Sequence, residues 1–321
     1  MIKHILVPLD GSSLAECVLP YVLAVARAVN ARITLLHVLE RPRETGELPT
    51  DPLQWHLKKI QIEGYLNQIE ARLQEAQLEV TNLVLEGVAA ERIIEYATNS
   101  RVDLIALSTH GYSGLSGWNV SSVVQKIILR AYKSTLLVRA YNPKEFDLDN
   151  PPIFKRLFVG LDSSARAEMA LPIAIRLSKY YQSELILGTV IRLPELFQRF
   201  PPSDEDQELI RRISNRNQEI AERYFDQLSS QFSFQGINVR TRLATSDNVP
   251  LALHNMVKRV KADLALLVAH GRSAKGRWPY GSAVTSFISY GTTSLLVVQD
   301  LSIEEIESTR AEAIAREQAG H

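Results

Sequence analysis

Two stretches of the chain combine residue types that could hold a phosphate. The first is STHGYSGLSGWNVSSV, Ser108 to Val123, and the second is VAHGRSAKGRWPYGSA, Val268 to Ala283. The offset that aligns His110 with His270 also pairs Gly111 with Gly271, Trp118 with Trp278 and Ser122 with Ser282. Each copy follows an apolar run and precedes a periodic apolar segment, so each reads as strand, glycine-bearing loop, helix. Backbone N–H groups of such a loop and helix start are unpaired donors at the positive end of a helix dipole, and they suit phosphate oxygens. A carboxylate accompanies each copy. Asp10 follows the apolar run IKHILVPL, and Asp162 follows RLFVGL.

Other chemistries fit less well. Ser122, His110 and Asp10 could be drawn as a Ser–His–Asp set, but a serine at a helix start has the simpler role of cap or phosphate donor, and no G-x-S-x-G occurs. The seven histidines are scattered without a His-x3-His pair, and the single cysteine, Cys17, lies on an apolar helix segment, so no metal site is expected. There is no G-x4-G-K-[ST] to organise Mg²⁺ and hydrolysis. No G-x-G-x-x-G follows the first strand; Gly111, Gly114 and Gly117 follow the fourth. With no catalytic residue evident, binding without rapid turnover is the expectation, and slow hydrolysis stays open. Asp10 and Asp162 also have a plain alternative as caps or turn formers, since turn-type residues follow each.

The elements that must position these loops alternate. Ile2–Leu9, Ala31–Leu39, Val80–Glu86, Leu104–Ser108 and Thr135–Val138 read as strands, with helices over Leu14–Val29, Gln54–Ala76, Ala89–Ser100 and Ser121–Ala131. The second half repeats the order: strands Arg156–Leu161, Glu184–Ile191, Asn238–Leu243, Leu264–Val268 and Ser294–Val298, and helices Ala167–Tyr180, Gln207–Gln231, Val249–Val260 and one from Ser282. Pro20 and Pro172 sit at matching places in the first helices. The expected fold is α/β: two repeated open parallel five-stranded sheets with helices on both faces, residues 1–141 and 153–300, joined by a linker over 142–152 and followed by a helical tail, 301–321. In such sheets ligands bind beyond the carboxyl ends of the strands at a topological switch point, where both the Asp and the glycine loop of each half would lie.

Composition sets outer limits. The 321 residues suffice for about two domains. Lys plus Arg and Asp plus Glu number 36 each, so the net charge is zero, with no electrostatic case for nucleic acid or an anionic membrane. No apolar run approaches the roughly 20 residues that span a bilayer, and one cysteine allows no internal disulfide, so a cytoplasmic location is expected.

With these residues in view, the chain resembles the universal stress protein family in its tandem two-domain form, a flavodoxin-like fold related to adenine-nucleotide hydrolases. Nucleotide-binding members of that family carry G-x2-G-x9-G-[ST] after the fourth strand and an Asp after the first. The resemblance implies that Asp10 and Asp162 contact the adenine end, that Val38 and Val190 line the adenine pocket, and that loop and helix start hold ribose and phosphates. The glycine positions of the motif fall on Ser108, Gly111 and Ser121, followed by Ser122, in the first half. In the second they fall on Val268, Gly271 and Gly281, followed by Ser282 and Ala283. A Ser at the last position adds a side chain where phosphate must approach, and Val268 could crowd a ribose. The second half, with Asp162, Val190, His270, Gly271, Gly281, Ser282 and Ala283, is therefore the favoured ATP site, with Mg²⁺ optional. Asp10, Val38, Ser108, His110, Gly111, Ser121 and Ser122 form the weaker one. The resemblance further implies a stress-response role and a pseudo-dimer formed through TLLV and SLLVV. It leaves open a protein partner, a homodimer beyond the internal pair, a nucleotide-free interaction module and a slow ATPase.

Overall fold

The computed structural model describes residues 2–40, 51–110, 120–140, 148, 150–192, 203–272, 279–302 and 304–307. Gly111, Trp118, Trp278, most of the expected linker and most of the expected tail lie outside the described residues.

The first half contains strands β1 (His4–Pro8), β2 (Arg32–Leu39), β3 (Val80–Glu86), β4 (Leu104–Ser108) and β5 (Ser134–Val138), with helices α1 (Ser13–Glu16), α2 (Leu19–Val29), α3 (Pro52–Gln74), α4 (Ala89–Asn99) and α5 (Ser122–Ala131). The second contains β6 (Arg156–Gly160), α6 (Leu171–Tyr181), β7 (Glu184–Ile191), α7 (Asp204–Phe234), β8 (Val239–Thr245), α8 (Val249–Val260), β9 (Leu264–Val268), α9 (Ser282–Tyr290) and β10 (Ser294–Val298). The single helices expected over Leu14–Val29 and Ala167–Tyr180 are each broken. A residue with no N–H cannot continue a hydrogen-bonded ladder, so Pro20 and Pro172 instead stand in the first turn of a new helix. A short 3₁₀ turn, Ala167–Ala170, fills the gap before α6. Helix α7 starts earlier than apolar spacing suggests because Ser203 and Asp206 form a reciprocal capping box.

The strands form one ten-stranded sheet in the order β3-β2-β1-β4-β5-β10-β9-β6-β7-β8. The two expected five-stranded sheets are thus halves of a continuous one. Within each half the pairs are parallel; at the seam β5 and β10 pair antiparallel, Leu137 opposite Leu295 and Leu136 opposite Leu296. The five strand residues of β4 and of β9 are all buried, as expected for strands covered on both faces. One core lies under α2, α3, α6 and α7, with Leu66, Ile69, Phe225 and Leu228 packed in it. The other lies under α4, α5, α8 and α9, with Ile93, Ile127, Met256 and Phe287.

Side chains tie the halves across the seam. Tyr181 donates to the Ala24 carbonyl at 2.8 Å, and the Tyr21 and Phe154 rings meet at a tilt with centroids 6.0 Å apart. Arg139, at the end of β5, donates to the Phe287 and Ile288 carbonyls, placing a cation at the negative C-terminal end of α9. Chain order reverses between β1 and β4 and again between β6 and β9, so each half has its own switch point at the end of its first strand.

Candidate functional site

At the carboxyl end of β6, Asp162 makes an Asx turn. Its Oδ1 accepts the Ser164 amide at 3.1 Å and the Ser164 hydroxyl at 2.5 Å. Ser164 Oγ in turn accepts the Ala167 amide at 3.2 Å, which starts the next turn of chain. The other carboxylate oxygen crosses to the loop after β9 and accepts the Arg272 amide at 2.5 Å. A Cβ on Gly271 would stand 2.6 Å from that oxygen, so only glycine lets the loop come this close. Gly281, the N-cap of α9, completes the set: its amide donates to the Ala269 carbonyl at 2.7 Å, and a Cβ built on it would lie 3.9 Å from Gly271 N. Asp162, His270, Gly271 and Gly281 are therefore neighbours. Ser282 is exposed on the first turn of α9, with Ala283 beside it, half-buried.

Gly281 has an ordinary extended conformation, φ −73° and ψ 169°, so its backbone does not require glycine. Nor does the packing, since the nearest atom to an added Cβ is the Ala269 carbonyl oxygen at 3.5 Å. What the missing side chain does change is the cap. Among the described residues, no side chain caps the first turn of α9, and its N–H donors are the kind a helix start leaves unpaired. In the first half Ser121 occupies the equivalent place with the same backbone, its amide on the Thr109 carbonyl at 2.9 Å. Its Oγ accepts the Val124 amide at 3.3 Å and so occupies one of the donors that α9 leaves without a side-chain cap.

Asp10 repeats the turn of Asp162: Oδ1 accepts the Ser12 amide at 3.0 Å and the Ser12 hydroxyl at 2.6 Å, and Ser12 caps α1 through the Ala15 amide. The reading of both aspartates as turn formers is thus correct in addition to any ligand role. Gly111 lies outside the described residues. Ser122 is exposed on the first turn of α5. Val38 and Val190 are half-buried near the ends of β2 and β7, packed against the core under α4 and α8.

Two neighbouring side chains are buried. Val268, which on sequence alone could crowd a ribose, packs into the core under α6 and α7, because alternate residues of a strand point to opposite faces. Ser108 is likewise turned in, with Oγ 3.3 Å from the Cys17 sulfur and accepting the His110 amide at 3.4 Å. Burial pushes the Cys17 thiol up to about 11, so it is an inert core residue.

The histidines diverge. His270 is buried, and both its amide and its Nδ1 meet one oxygen of Asp300, at 3.1 and 2.8 Å. The other oxygen of Asp300 takes Arg166 at 3.0 Å, and Arg166 also holds Glu305 at 2.5 Å. His110 has Thr109 Oγ1 at 3.1 Å on its Nδ1, and Thr109 Oγ1 also accepts the Ala140 amide at 3.1 Å. Ala140 stands where the second half has Asp300. Arg166, Asp300 and Glu305 were not found from the sequence. The one signal was a carboxylate just after an apolar strand, SLLVVQD, and its partner lies more than a hundred residues earlier.

A helix of this protein long and apolar enough to cross a membrane is absent among the described residues. The family model described as the universal stress protein family matches residues 1–139 and again 153–299, and the chain belongs to that family, as a tandem repeat. Curated relatives match one half at a time. Universal stress protein MJ0531 from Methanocaldococcus jannaschii is 28% identical over 141 residues, 43% of this chain and 82% of the relative. Universal stress protein A homolog 1 from Coxiella burnetii is 30% identical over 123 residues, 35% of this chain and 80% of the relative. A solved universal stress protein from Archaeoglobus fulgidus matches the fold of both halves, with a TM-score of 0.64 at 18% identity over 93% of this chain and 98% of its own. A functionally unknown Pseudomonas aeruginosa protein, PA1789, does so with a TM-score of 0.64 at 12% identity, over 98% of each chain.

Proposed function

We propose that this protein binds an adenine nucleotide, ATP, in the second half, and uses the bound ligand as a conformational signal in a cytoplasmic stress response. The observation that carries this reading is the start of α9. Its first-turn donors have no side-chain cap, and Gly281 keeps a side chain out of the space beside Gly271. That is the arrangement expected of a cradle for phosphate oxygens. Asp162 sits at the same switch point and fixes the loop by holding the Arg272 amide. Ser282 would add a hydroxyl, and the ribose and adenine would extend toward the ends of β6 and β7, past Val190. His270 holds the loop from beneath through Asp300 and has no role as a base in this reading. Bound ATP supplies a triphosphate whose charge the helix start stabilises. Mg²⁺ would travel on the phosphates, since no cluster of three metal-ligating side chains occurs among the described residues. Residues 1–141 and 153–300 then act as the two members of a covalent pseudo-dimer, with the first site weaker because Ser121 already uses one donor.

Calorimetric titration of the full chain with ATP tests this. Gly281→Val and Asp162→Ala should each weaken binding by about tenfold or more, while Ser121→Val and Asp10→Ala change it by less than about threefold. Absence of saturable binding at millimolar ATP would leave the nucleotide-free interaction module as the better reading. Equal losses in the two halves would overturn the ranking of the sites.

A further inference from the structure

A second cleft lies at the opposite end of the same strands. It has a volume of about 480 Å³ and is lined by Arg156, Glu184, Arg240, Arg242, Arg259 and Lys261. Arg156 opens β6 and Asp162 follows its far end, so the two places are separated by roughly the 16 Å length of a five-residue strand. We propose that this cleft binds a compact, multiply phosphorylated anion, at a site separate from the nucleotide crevice.

Five cationic side chains surround one carboxylate in a chain whose net charge is zero. Glu184 reaches only Arg240, at a long 3.5 Å. Asp263, close by, is engaged by the Arg156 amide at 2.7 Å. Among the described residues, the side chains of Arg242, Arg259 and Lys261 have no carboxylate partner. Like charges held this close repel, so a bound anion would relieve the site as well as occupy it. Arginine dominates the set, and its planar fork matches phosphate oxygens in pairs. The volume lies within the range of small-ligand clefts.

Ordinary structural duties account for the residues singly and not together. Arg259 in the last turn of α8 complements the helix dipole. Arg240 and Arg242 on β8, an edge strand, discourage edge-to-edge pairing. Neither duty requires them to converge with Arg156 and Lys261. Convergence comes from register: Arg240 and Arg242 are two apart and share a face, opposite Ile186 and Gly188 on β7. The first half shows that the fold does not need the cleft. There His4 and Thr81 stand where the second half has Arg156 and Arg240, and Arg32 stands where it has Glu184. His4 Nε2 lies 2.9 Å from Thr34 Oγ1, and Thr34 Oγ1 lies 3.2 Å from Thr81 Oγ1. His4 Nδ1 faces the Ser100 carbonyl at 3.2 Å, as Arg156 Nε donates to that of Lys261 at 3.0 Å.

Titration of the full chain with inorganic tripolyphosphate at fixed ionic strength tests the proposal. The expected result is a saturable site, retained in Gly281→Val, whose affinity weakens at least about tenfold in Arg242→Gln/Arg259→Gln. That variant should keep its ATP binding, and Gly281→Val should keep its tripolyphosphate binding. Arg259→Gln alone, on an exposed helix end, serves if the double variant folds poorly. Protection of Arg240 and Arg242 from phenylglyoxal by tripolyphosphate gives an independent readout. Comparing ATP with tripolyphosphate on the Gly281→Val protein separates a nucleotide's phosphate chain from a free polyphosphate as the source. The proposal is overturned if no saturable binding occurs, if the arginine variants bind as the parent does, if sulfate at matched ionic strength gives the same response, or if Gly281→Val removes the binding.

Discussion

Asp10 and Asp162 begin their halves in the same way. Each accepts the amide and hydroxyl of the serine two residues on, and each serine then caps the following turn. The halves part company farther along the chain. At the loop after the fourth strand of the repeat, the second half anchors its histidine on a buried carboxylate, while the first uses a threonine hydroxyl and an alanine amide. At the helix start that follows, one half has a serine cap and the other a glycine. At the far end of the sheet, one half has a hydrogen-bonded chain of His4, Thr34 and Thr81 and the other an arginine cleft. A repeated fold thus keeps its backbone turns while its polar side chains are reassigned. That contrast is what makes the two ends of the second half candidates for anions.

The largest effect expected from breaking the contrast is on stability. Asp300→Ala should cost about 3 kcal/mol, because it removes the partner of a buried histidine and of Arg166 together. Ala140→Asp, placing the same carboxylate in the first half, should also destabilise, since Leu14 stands there where the second half has Arg166. Urea unfolding of both variants is the check. Unchanged stability in Asp300→Ala would mean that the network is a passive surface feature.

Acidification separates the halves by a different route. Burial, reinforced by Arg32, holds the His4 imidazole below its ordinary value of 6.5. The folded state therefore favours the neutral ring, whereas the unfolded chain takes up a proton near 6.5. Stability is full above that pH and falls as pH drops below it, toward the lower folded value. Burial lowers His37 and His254 in the same direction. In His4→Gln the loss of stability between about pH 7 and pH 5 should be shallower than in the parent. The matching residue in the second half, Arg156, is not a histidine, so Arg156→Gln should leave the slope as it was.

The smallest expected effect tests the shared turn. Ser163 sits at φ 60°, a left-handed conformation that costs a side-chain-bearing residue, while the equivalent Gly11 takes φ 82° freely. Ser163→Gly should stabilise by roughly 0.5 kcal/mol, the left-handed penalty less the entropy of a glycine, and Gly11→Ser should cost a similar amount. A thermal melt of each variant resolves the sign. Two changes of the same sign would show that the turns are not equivalent.

Much of the fold was legible in the chain. Apolar runs such as LIALS and LALLV read as strands covered on both faces, and the repetition of Asp-turn, glycine loop and closing strand announced two similar halves. Local chemistry also revealed the turn at Asp162 and placed the helix starts near Ser121 and Ser282. The helix breaks before Pro20 and Pro172 were only partly legible, because a proline tolerates the first turn of a helix as well as interrupting its middle. What remained hidden was set by distance along the chain. The Asp300–Arg166 pair joins residues from opposite ends of the second half, and the only local hint of the arginine cleft is the alternation R-T-R over 240–242.

The sequence by itself determined the two-fold repetition and the order of strands and helices, because these depend on period, turn chemistry and spacing along a few dozen residues. Only the tertiary structure decided that the ten strands form one sheet through an antiparallel seam, that Val268 and Ser108 face inward, and that Asp162 clamps the glycine loop. It also brought five cations into one cleft. Register and strand order fix which side chains meet across a sheet, and no local pattern encodes them.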